Sequence, residues 1–320
     1  MENSFVYSSE YACDNITRRE LRGLDGIVTR VHASKFSRDL LLPLGQRIST
    51  SGRIQRGVLK NVVERVEHTL RTEEGIIDVE VDSMTTSRMS ANESYRFAFV
   101  AGLNSGEHWL EFMLNEARLT RKELAVHTTK ADFRIHRHAI SRYMQREQRP
   151  VREMYPQLTE ALRASTLMAE AAAMDPRGHI ALVIGDGLLL GRVRRYRWSD
   201  APTQIERFVV RPKAVDHELV ARPDEELNDY RLIVEMMTYI DHNSMVDSRE
   251  ALRDELRAFQ DRRALELKML FDATYFFSAT VPADMANHVE QRLLDATTEA
   301  AALVEGDVWQ HFAETAPPHA

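Results

Sequence analysis

The spacing of apolar residues in the first part of the chain predicts one helix and two strands. Between residues 57 and 71, apolar side chains recur every three or four positions, which is the spacing of an amphipathic helix. Two apolar runs follow at residues 76–81 and 95–100, and the polar segment between them favours an antiparallel pair of strands. Residues 109–117 predict a short helix. Thr120 with Glu123 matches a capping box that would begin another helical turn.

The middle of the chain predicts two helices followed by a small antiparallel sheet. Residues 137–146 and 157–174 are dominated by helix-compatible residues. Two apolar runs then flank Gly185-Asp186-Gly187, and Asp-Gly between apolar runs is a strong hairpin signal. Residues 205–210 would add a third strand to this hairpin.

Past Pro223 the pattern is helical alone. An apolar stripe runs through residues 227–237, a long helix is predicted from Asp247 or Ser248 to about Phe277, and a last helix is predicted over residues 285–303. The sequence therefore predicts an α+β protein, with a small antiparallel sheet and helices in its middle segment and a helical C-terminal region.

Three regions are expected along the chain. Residues 1–130 form an N-terminal α+β region, residues 131–220 a basic helix-plus-sheet domain, and residues 221–320 a C-terminal helical region. Their boundaries follow the changes in charge and in apolar spacing.

Composition narrows the class of protein. Of 320 residues, 43% are hydrophobic and 28% are charged, which is ordinary for a protein that buries a core. No segment approaches the roughly 18 consecutive apolar residues of a membrane-spanning helix, and the first residues lack the pattern of a signal peptide. Cys13 is the single cysteine, so neither an intramolecular disulfide nor a cysteine-based zinc site is expected. We expect a cytoplasmic protein with no membrane partner, no metal and no cofactor.

The net charge of −7 conceals a basic segment. Residues 134–213 contain fourteen arginines and one lysine against eight acidic residues, whereas the rest of the chain is acidic. A basic segment in an acidic chain predicts a polyanionic partner such as RNA or DNA. The alternative is that these arginines pair with acidic groups of the same protein.

The densest polar cluster lies on the first helix of the basic segment. His138, Arg142 and Arg146 are spaced four apart, so they share one helical face, where like charges repel. Aligned cations favour an anion on that face, and Arg134 and Arg137 lie just before it. A phosphodiester fits, with the arginines on its oxygens and His138 able to move a proton.

The pattern His-Ala-x-x-Arg-x-x-x-Arg, followed by a second helix and an apolar hairpin, resembles a small uncharacterised bacterial domain grouped with the RelE/barnase-like toxin ribonucleases. The motif is carried by His138, Ala139, Arg142 and Arg146, and the resemblance covers about residues 133–215. It implies a metal-independent endoribonuclease of toxin or defence type, with His138 as acid or base and Arg142 and Arg146 as phosphate ligands. Candidates for a second catalytic residue are His179, Tyr143 and His217.

A second basic segment lies on the predicted hairpin. On a strand, Arg192, Arg194, Tyr196 and Trp198 share one face. Arginines beside aromatic rings bind phosphates and stack on bases. With Arg134 and Arg137 these residues form the predicted nucleic-acid-binding set. The same arginines could instead pair with acidic residues of the C-terminal helices.

Other interpretations of the same residues remain open. His136 and His138 would project together from an extended chain and could begin a metal site, with His127 or Asp132 as a third ligand. The apolar segment at residues 275–277 is expected to pack within the chain or to form a homodimer contact through the C-terminal helices. The alternative function is a non-enzymatic protein-binding or regulatory module whose arginine-rich face docks an acidic partner.

Overall fold

The computed structural model describes residues 13–19, 48, 50–72, 76–85, 93–105, 108–175, 177–197, 204–211, 213–221, 230–276 and 288–315. A short helical segment at residues 13–19 comes first. The longer helices are α1 (Arg56–Thr72), α2 (Arg137–Glu147), α3 (Tyr155–Ala172), α4 (Asp247–Tyr275), α5 (Val289–Glu305) and α6 (Asp307–Thr315). The strands are β1 (Ile76–Thr85), β2 (Glu93–Ser105), β3 (Trp109–Thr120), β4 (Leu124–His136), β5 (His179–Ile184), β6 (Gly187–Arg197), β7 (Gln204–Arg211), β8 (Ala214–Ala221) and β9 (Tyr230–Ile240). This composition confirms the α+β class.

The nine described strands form one sheet. Its main order is β1-β2-β3-β4-β9-β6-β5, and the β7–β8 hairpin is attached to β4 through β7. All neighbouring strands run antiparallel except β4 and β9, which are parallel. Along one edge of β4, its first half pairs with β7 and its second half with β9. The sheet is therefore larger than the small sheet expected in the middle segment, and strands from all three predicted regions belong to it. The division into regions stays a prediction.

Helix α3 lies at the centre of the core. It contacts β1 at one end of the strand order and β5 at the other, so the sheet curves around it, and α4 and α5 also pack on it. Small residues allow this close approach. The buried apolar side chains of α3 include Leu158, Ala161, Leu162, Ala164, Leu167, Met168 and Ala172, none more than 3% exposed.

Strand β3 replaces the helix predicted at residues 109–117. Its residues are buried on both faces of the sheet, which removes the polar–apolar alternation that would have indicated a strand. The predicted capping box is a hairpin turn. The backbone N–H of Glu123 donates to Oγ1 of Thr120 over 2.9 Å, and the N–H of Thr120 donates to the carbonyl of Glu123 over 2.8 Å. The Thr120 hydroxyl, which would cap a helix in a capping box, accepts a hydrogen bond within the β3–β4 turn instead.

Strand β9 replaces the helical stripe predicted at residues 227–237. Its two edges pair with β4 and β6, buried residues occur on both of its faces, and its apolar residues run nearly continuously. The two other C-terminal predictions are confirmed as helices α4 and α5, although α4 begins after Val246 without a side-chain cap.

The predicted hairpin, its two preceding helices and the first strand pair are all confirmed. Gly185 and Asp186 form the turn between β5 and β6, and Gly185 has a φ of 53°, a conformation that favours glycine. The predicted third strand is β7, but it pairs with β4 and β8 rather than with the hairpin.

At the end of α4, the side chain of Phe276 is buried and lies over the guanidinium of Arg96, 5.2 Å from the ring centre. Phe277 lies outside the described residues. Homodimerisation through the C-terminal helices stays a prediction. No helix in the described ranges is long and apolar enough to cross a membrane.

Candidate functional site

Glu235, on the central strand β9, is the centre of a charged cluster. Its register partners are Arg134 on β4 and Arg192 on β6, so the three side chains leave the same face of the sheet. Nη2 of Arg134 donates to Oε1 of Glu235. Nε of Arg192 lies 3.3 Å, and Nε of Arg194 2.8 Å, from Oε2 of Glu235. We call Glu235, Arg134, Arg192, Arg194 and Tyr196 the Glu235 cluster.

Tyr196 completes the hydrogen bonding of this cluster. Its hydroxyl donates to Oε1 of Glu235 over 2.9 Å and accepts from Nη2 of Arg134 over 3.1 Å. Burial and the hydrogen bond to Glu235 raise the pKa of Tyr196. The phenol therefore stays protonated and remains a donor at neutral pH.

The next strand extends the cluster to a second carboxylate. Glu111 on β3 lies opposite Arg134, 3.9 Å from its Nη1, and 2.6 Å from Nζ of Lys130. The guanidinium of Arg134 lies over the ring of Trp109, 4.3 Å from its centre.

The cluster has a surplus of positive charge at the surface. Among the described residues, four cations, Arg134, Arg192, Arg194 and Lys130, surround two carboxylates, which is a surplus of two positive charges. The carboxylate side chains are 1% and 4% exposed, whereas those of the cations are 22–43% exposed. The anions therefore lie beneath the cations, and solvent meets the guanidinium and ammonium groups.

A neighbouring ion pair leaves this surplus unchanged. Arg231 on β9 pairs with Asp132 on β4, one cation with one anion. Arg231 is only 5% exposed, so this pair links β4 and β9 beneath the surface and adds no charge to it.

Trp109 connects the cluster to the beginning of helix α2. Its ring meets that of His136 edge-on, with 5.0 Å between ring centres. His136 ends β4 and caps α2, because its Nδ1 accepts a hydrogen bond of 3.2 Å from the backbone N–H of His138. Burial, together with the positive charges of His108 and of its chain neighbours, lowers the pKa of His136. The ring is therefore neutral at neutral pH.

The helix predicted to carry the motif is present, but its arginines have partners other than Glu235. Nη1 of Arg142 donates to Oε1 of Gln145 over 3.3 Å. Nη1 of Arg146 donates to Oγ of Ser244 over 3.0 Å, and its Nε lies 3.7 Å from Asp241. The first contact lies within α2, and the contacts of Arg146 join α2 to the segment that follows β9.

The remaining predicted site residues are divided among several places. Arg137 pairs with Asp14 of the N-terminal helical segment, over 2.7 Å. His138 lies in the first turn of α2. Trp198 lies outside the described residues. Of the nine residues predicted, the structure brings together Arg134, Arg192, Arg194 and Tyr196.

The three candidates for a second catalytic residue lie on different elements. Tyr143 is buried on α2, with its ring centre 5.3 Å from that of Tyr239, and burial and the nearby Glu147 carboxylate raise the pKa of Tyr143 to about 12. His179 begins β5, and its ring centre lies 6.2 Å from that of Phe312. His217 lies on β8. Within the described residues, no group of three or more His, Cys, Asp or Glu side chains is placed to hold a metal ion.

Sequence reasoning missed Glu235, Glu111 and Trp109 because they lie on the two strands predicted as helices. The available signal was Glu235 itself, a single acid within the apolar run LIVEMM. A carboxylate at such a position is buried and needs cations beside it.

The chain matches no protein-family model, no curated protein and no solved structure. The resemblance to the toxin ribonucleases stays a prediction, and function is argued from the site alone.

Proposed function

We propose that the protein binds nucleic acid, RNA or DNA, through the Glu235 cluster. The observation that supports this is the surplus of two positive charges that the described side chains of this site present at the surface above buried carboxylates. Three of the four cations are arginines, whose planar forks bind phosphate oxygens through two parallel N–H bonds.

Aromatic groups accompany the cations, as they do in proteins that bind single-stranded nucleic acid. Tyr196 and Trp109 are half-buried beside Arg134, so part of each ring reaches the surface. Bases stack on such rings, while phosphates bind the neighbouring guanidinium groups.

Glu235 prepares the arginines for a ligand. It holds Arg134, Arg192 and Arg194 in fixed positions before any anion arrives. Long side chains lose conformational entropy when a ligand immobilises them, so fixing them in advance lowers the entropic cost of binding.

Cleavage of RNA stays a separate prediction. It depends on His138 as the acid or base, and the backbone N–H of His138 is hydrogen-bonded to His136, whose ring contacts Trp109. Metal-independent cleavage of toxin or defence type needs a proton-transfer group and cations at one phosphodiester.

Binding is tested with fluorescently labelled RNA and single-stranded DNA at several salt concentrations. We expect the affinity to fall as salt rises, and Arg194→Gln to weaken binding to all sequences and reduce the salt slope by about one. The matched control is Arg262→Gln, an exposed arginine that also pairs with a glutamate, Glu299, but on the C-terminal helices. This control should bind like the wild type.

Two outcomes would overturn the proposal. The first is that the wild-type protein binds neither RNA nor single-stranded DNA. The second is that the wild type and Arg194→Gln bind with equal affinity. Retention of a polyaspartate peptide in place of nucleic acid would indicate an acidic protein partner.

The ribonuclease prediction has its own assay. Total cellular RNA is incubated with the protein in a chelator, beside His138→Ala. Cleavage that survives the chelator and disappears in the variant is expected of the predicted ribonuclease. Intact RNA in both lanes would refute cleavage and leave the binding proposal standing.

A further inference from the structure

We infer that the Glu235 cluster recognises one terminal phosphate of a nucleic acid, a phosphomonoester dianion, rather than a run of internal phosphodiesters. This inference rests on the proposed binding of nucleic acid and names the group that the site takes.

The first argument is that the arginines converge. Arg134, Arg192 and Arg194 all contact the same carboxylate, so their guanidinium groups surround a single point on the sheet. Successive phosphates of a strand are separated, and proteins that follow a backbone spread their cations along a groove. A convergent group of cations serves one phosphoryl group.

The second argument is the charge. Counted over the described side chains, the cluster with Glu111 and Lys130 has four cations against two carboxylates, a surplus of two positive charges. A phosphomonoester carries about −1.5 to −2 at neutral pH, whereas each internal phosphodiester carries a single negative charge. The monoester therefore matches the surplus, and a diester leaves part of it uncompensated.

The third argument is how the arginines present their donors. Arg192 and Arg194 make their closest approach to Glu235 through Nε. The other four N–H donors of each guanidinium are on the two Nη atoms, at the end of a side chain that is partly exposed. Two such ends side by side can hold three phosphate oxygens, and a monoester has three that are not bonded to carbon.

The neighbouring arginines of β6 do not prolong the cluster into a stripe. Strand alternation places Arg195 and Arg197 on the opposite face from Arg194. Nη2 of Arg195 donates to the carbonyl of Ala173 over 2.8 Å, at the end of α3. It satisfies a helix terminus rather than extending the cationic surface.

The test uses short single-stranded oligonucleotides of identical sequence with a 5′-phosphate, a 3′-phosphate or two hydroxyl ends. We expect one phosphorylated form to bind at least about tenfold more tightly than the hydroxyl form, which is about 1.4 kcal/mol. Arg192→Gln and Arg194→Gln should each remove most of that preference, and Arg262→Gln should keep it. The preference for the phosphorylated form should shrink as the pH falls from 7.5 to 5.5, because the monoester dianion takes up a proton at about pH 6.

The outcomes separate this inference from the proposed function. Equal binding of the three oligonucleotides would refute recognition of the end and leave nucleic-acid binding intact. No binding of any form would refute both. A nucleoside monophosphate serves as competitor, and we expect it to displace the phosphorylated oligonucleotide. If the monophosphate binds and no oligonucleotide does, the site takes small phosphomonoesters and the proposed function is wrong.

Discussion

Replacing Gly191 by alanine should destabilise the fold and displace the Glu235 cluster. Gly191 lies on β6, opposite the irregularity in β9 where the register shifts. A Cβ atom at this position would lie 2.0 Å from the carbonyl oxygen of Glu235 and 2.8 Å from Cα of Met236. Both are backbone atoms of the central strand, so no side-chain rotation relieves the contact.

The magnitude follows from the distances. Ordinary contact begins at 3.4 Å, so the two strands must separate by about 1.4 Å, the difference between 3.4 and 2.0 Å. Strand β9 is hydrogen-bonded to β4 and β6, so the shift disturbs both pairings. Overpacking a core costs about 1–3 kcal/mol, occasionally more. We expect Gly191→Ala to lower the free energy of unfolding by about 3 kcal/mol, at the upper end of that range, and to weaken oligonucleotide binding.

Denaturant unfolding measures this effect, with Gly57→Ala as the matched control. A Cβ at Gly57, on helix α1, meets no atom within 4 Å. That variant should not be destabilised and should gain at most about 0.5–1 kcal/mol, the difference between alanine and glycine in the middle of a helix, because Gly57 lies in the first turn. A Gly191→Ala protein whose stability lies within about 0.5 kcal/mol of the wild type would refute the reasoning.

Three further predictions concern buried polar groups. The pKa of His136 is lower in the folded protein than its ordinary value of 6.5, so as the pH falls the imidazole is protonated more readily in the unfolded chain. The free energy of unfolding of the wild type therefore decreases as the pH falls below 6.5. His136→Asn keeps a cap acceptor and should lose less stability between pH 7.5 and 5 by denaturant unfolding. Tyr239→Phe removes the hydroxyl that donates to Glu147 and should cost about 1.5–3 kcal/mol in the same assay. Glu116→Gln removes one of the two carboxylates beside Arg96, 2% exposed, and leaves Asp82 at 3.1 Å, so it should cost about 1.5–3 kcal/mol.

Each of these predictions has a control and a contradicting result. Identical pH slopes for the wild type and His136→Asn would show that His136 does not set the pH dependence. An unchanged midpoint in Tyr239→Phe would show that its hydroxyl contributes nothing to stability. For Glu116→Gln the control is Glu67→Gln, which breaks an exposed pair with Arg71 and should change stability by no more than about 1 kcal/mol. Equal losses in the two glutamine variants would contradict the role of burial.

Helices and hairpins could be predicted from the sequence where the residues of the segment itself determine its conformation. The β5–β6 hairpin follows from a turn that favours glycine at Gly185, and α2 and α3 follow from their helix-compatible residues. The prediction of helices at β3 and β9 was wrong because both strands contain residues that favour helices, such as Leu, Met and Glu, and carry buried residues on both faces. Burial by the rest of the chain overrides that local preference.

The site was predictable only in part. Arg192, Arg194 and Tyr196 were identified together because strand alternation places them on one face. Their common partner, Glu235, is 101 residues from Arg134 and lies on a parallel strand that no local pattern pairs with β4. The motif on α2 does lie on a helix. The contact of Arg146 with Ser244 could not be predicted, because spacing along the sequence does not show where the segment after β9 lies relative to α2.

The parallel pairing of β4 and β9 has a consequence for the order of folding. Strands β3 and β4 are joined by a short turn and pair as soon as both exist, whereas β9 enters between β4 and β6 only after a long connection has been synthesised. Closing a connection of that length is slower than forming a hairpin. We expect β9 to insert last, and until then β4 and β6 carry open edges and arginines without their carboxylate. A chain that holds its arginines around Glu235 is therefore one in which β9 has already joined β4 to β6.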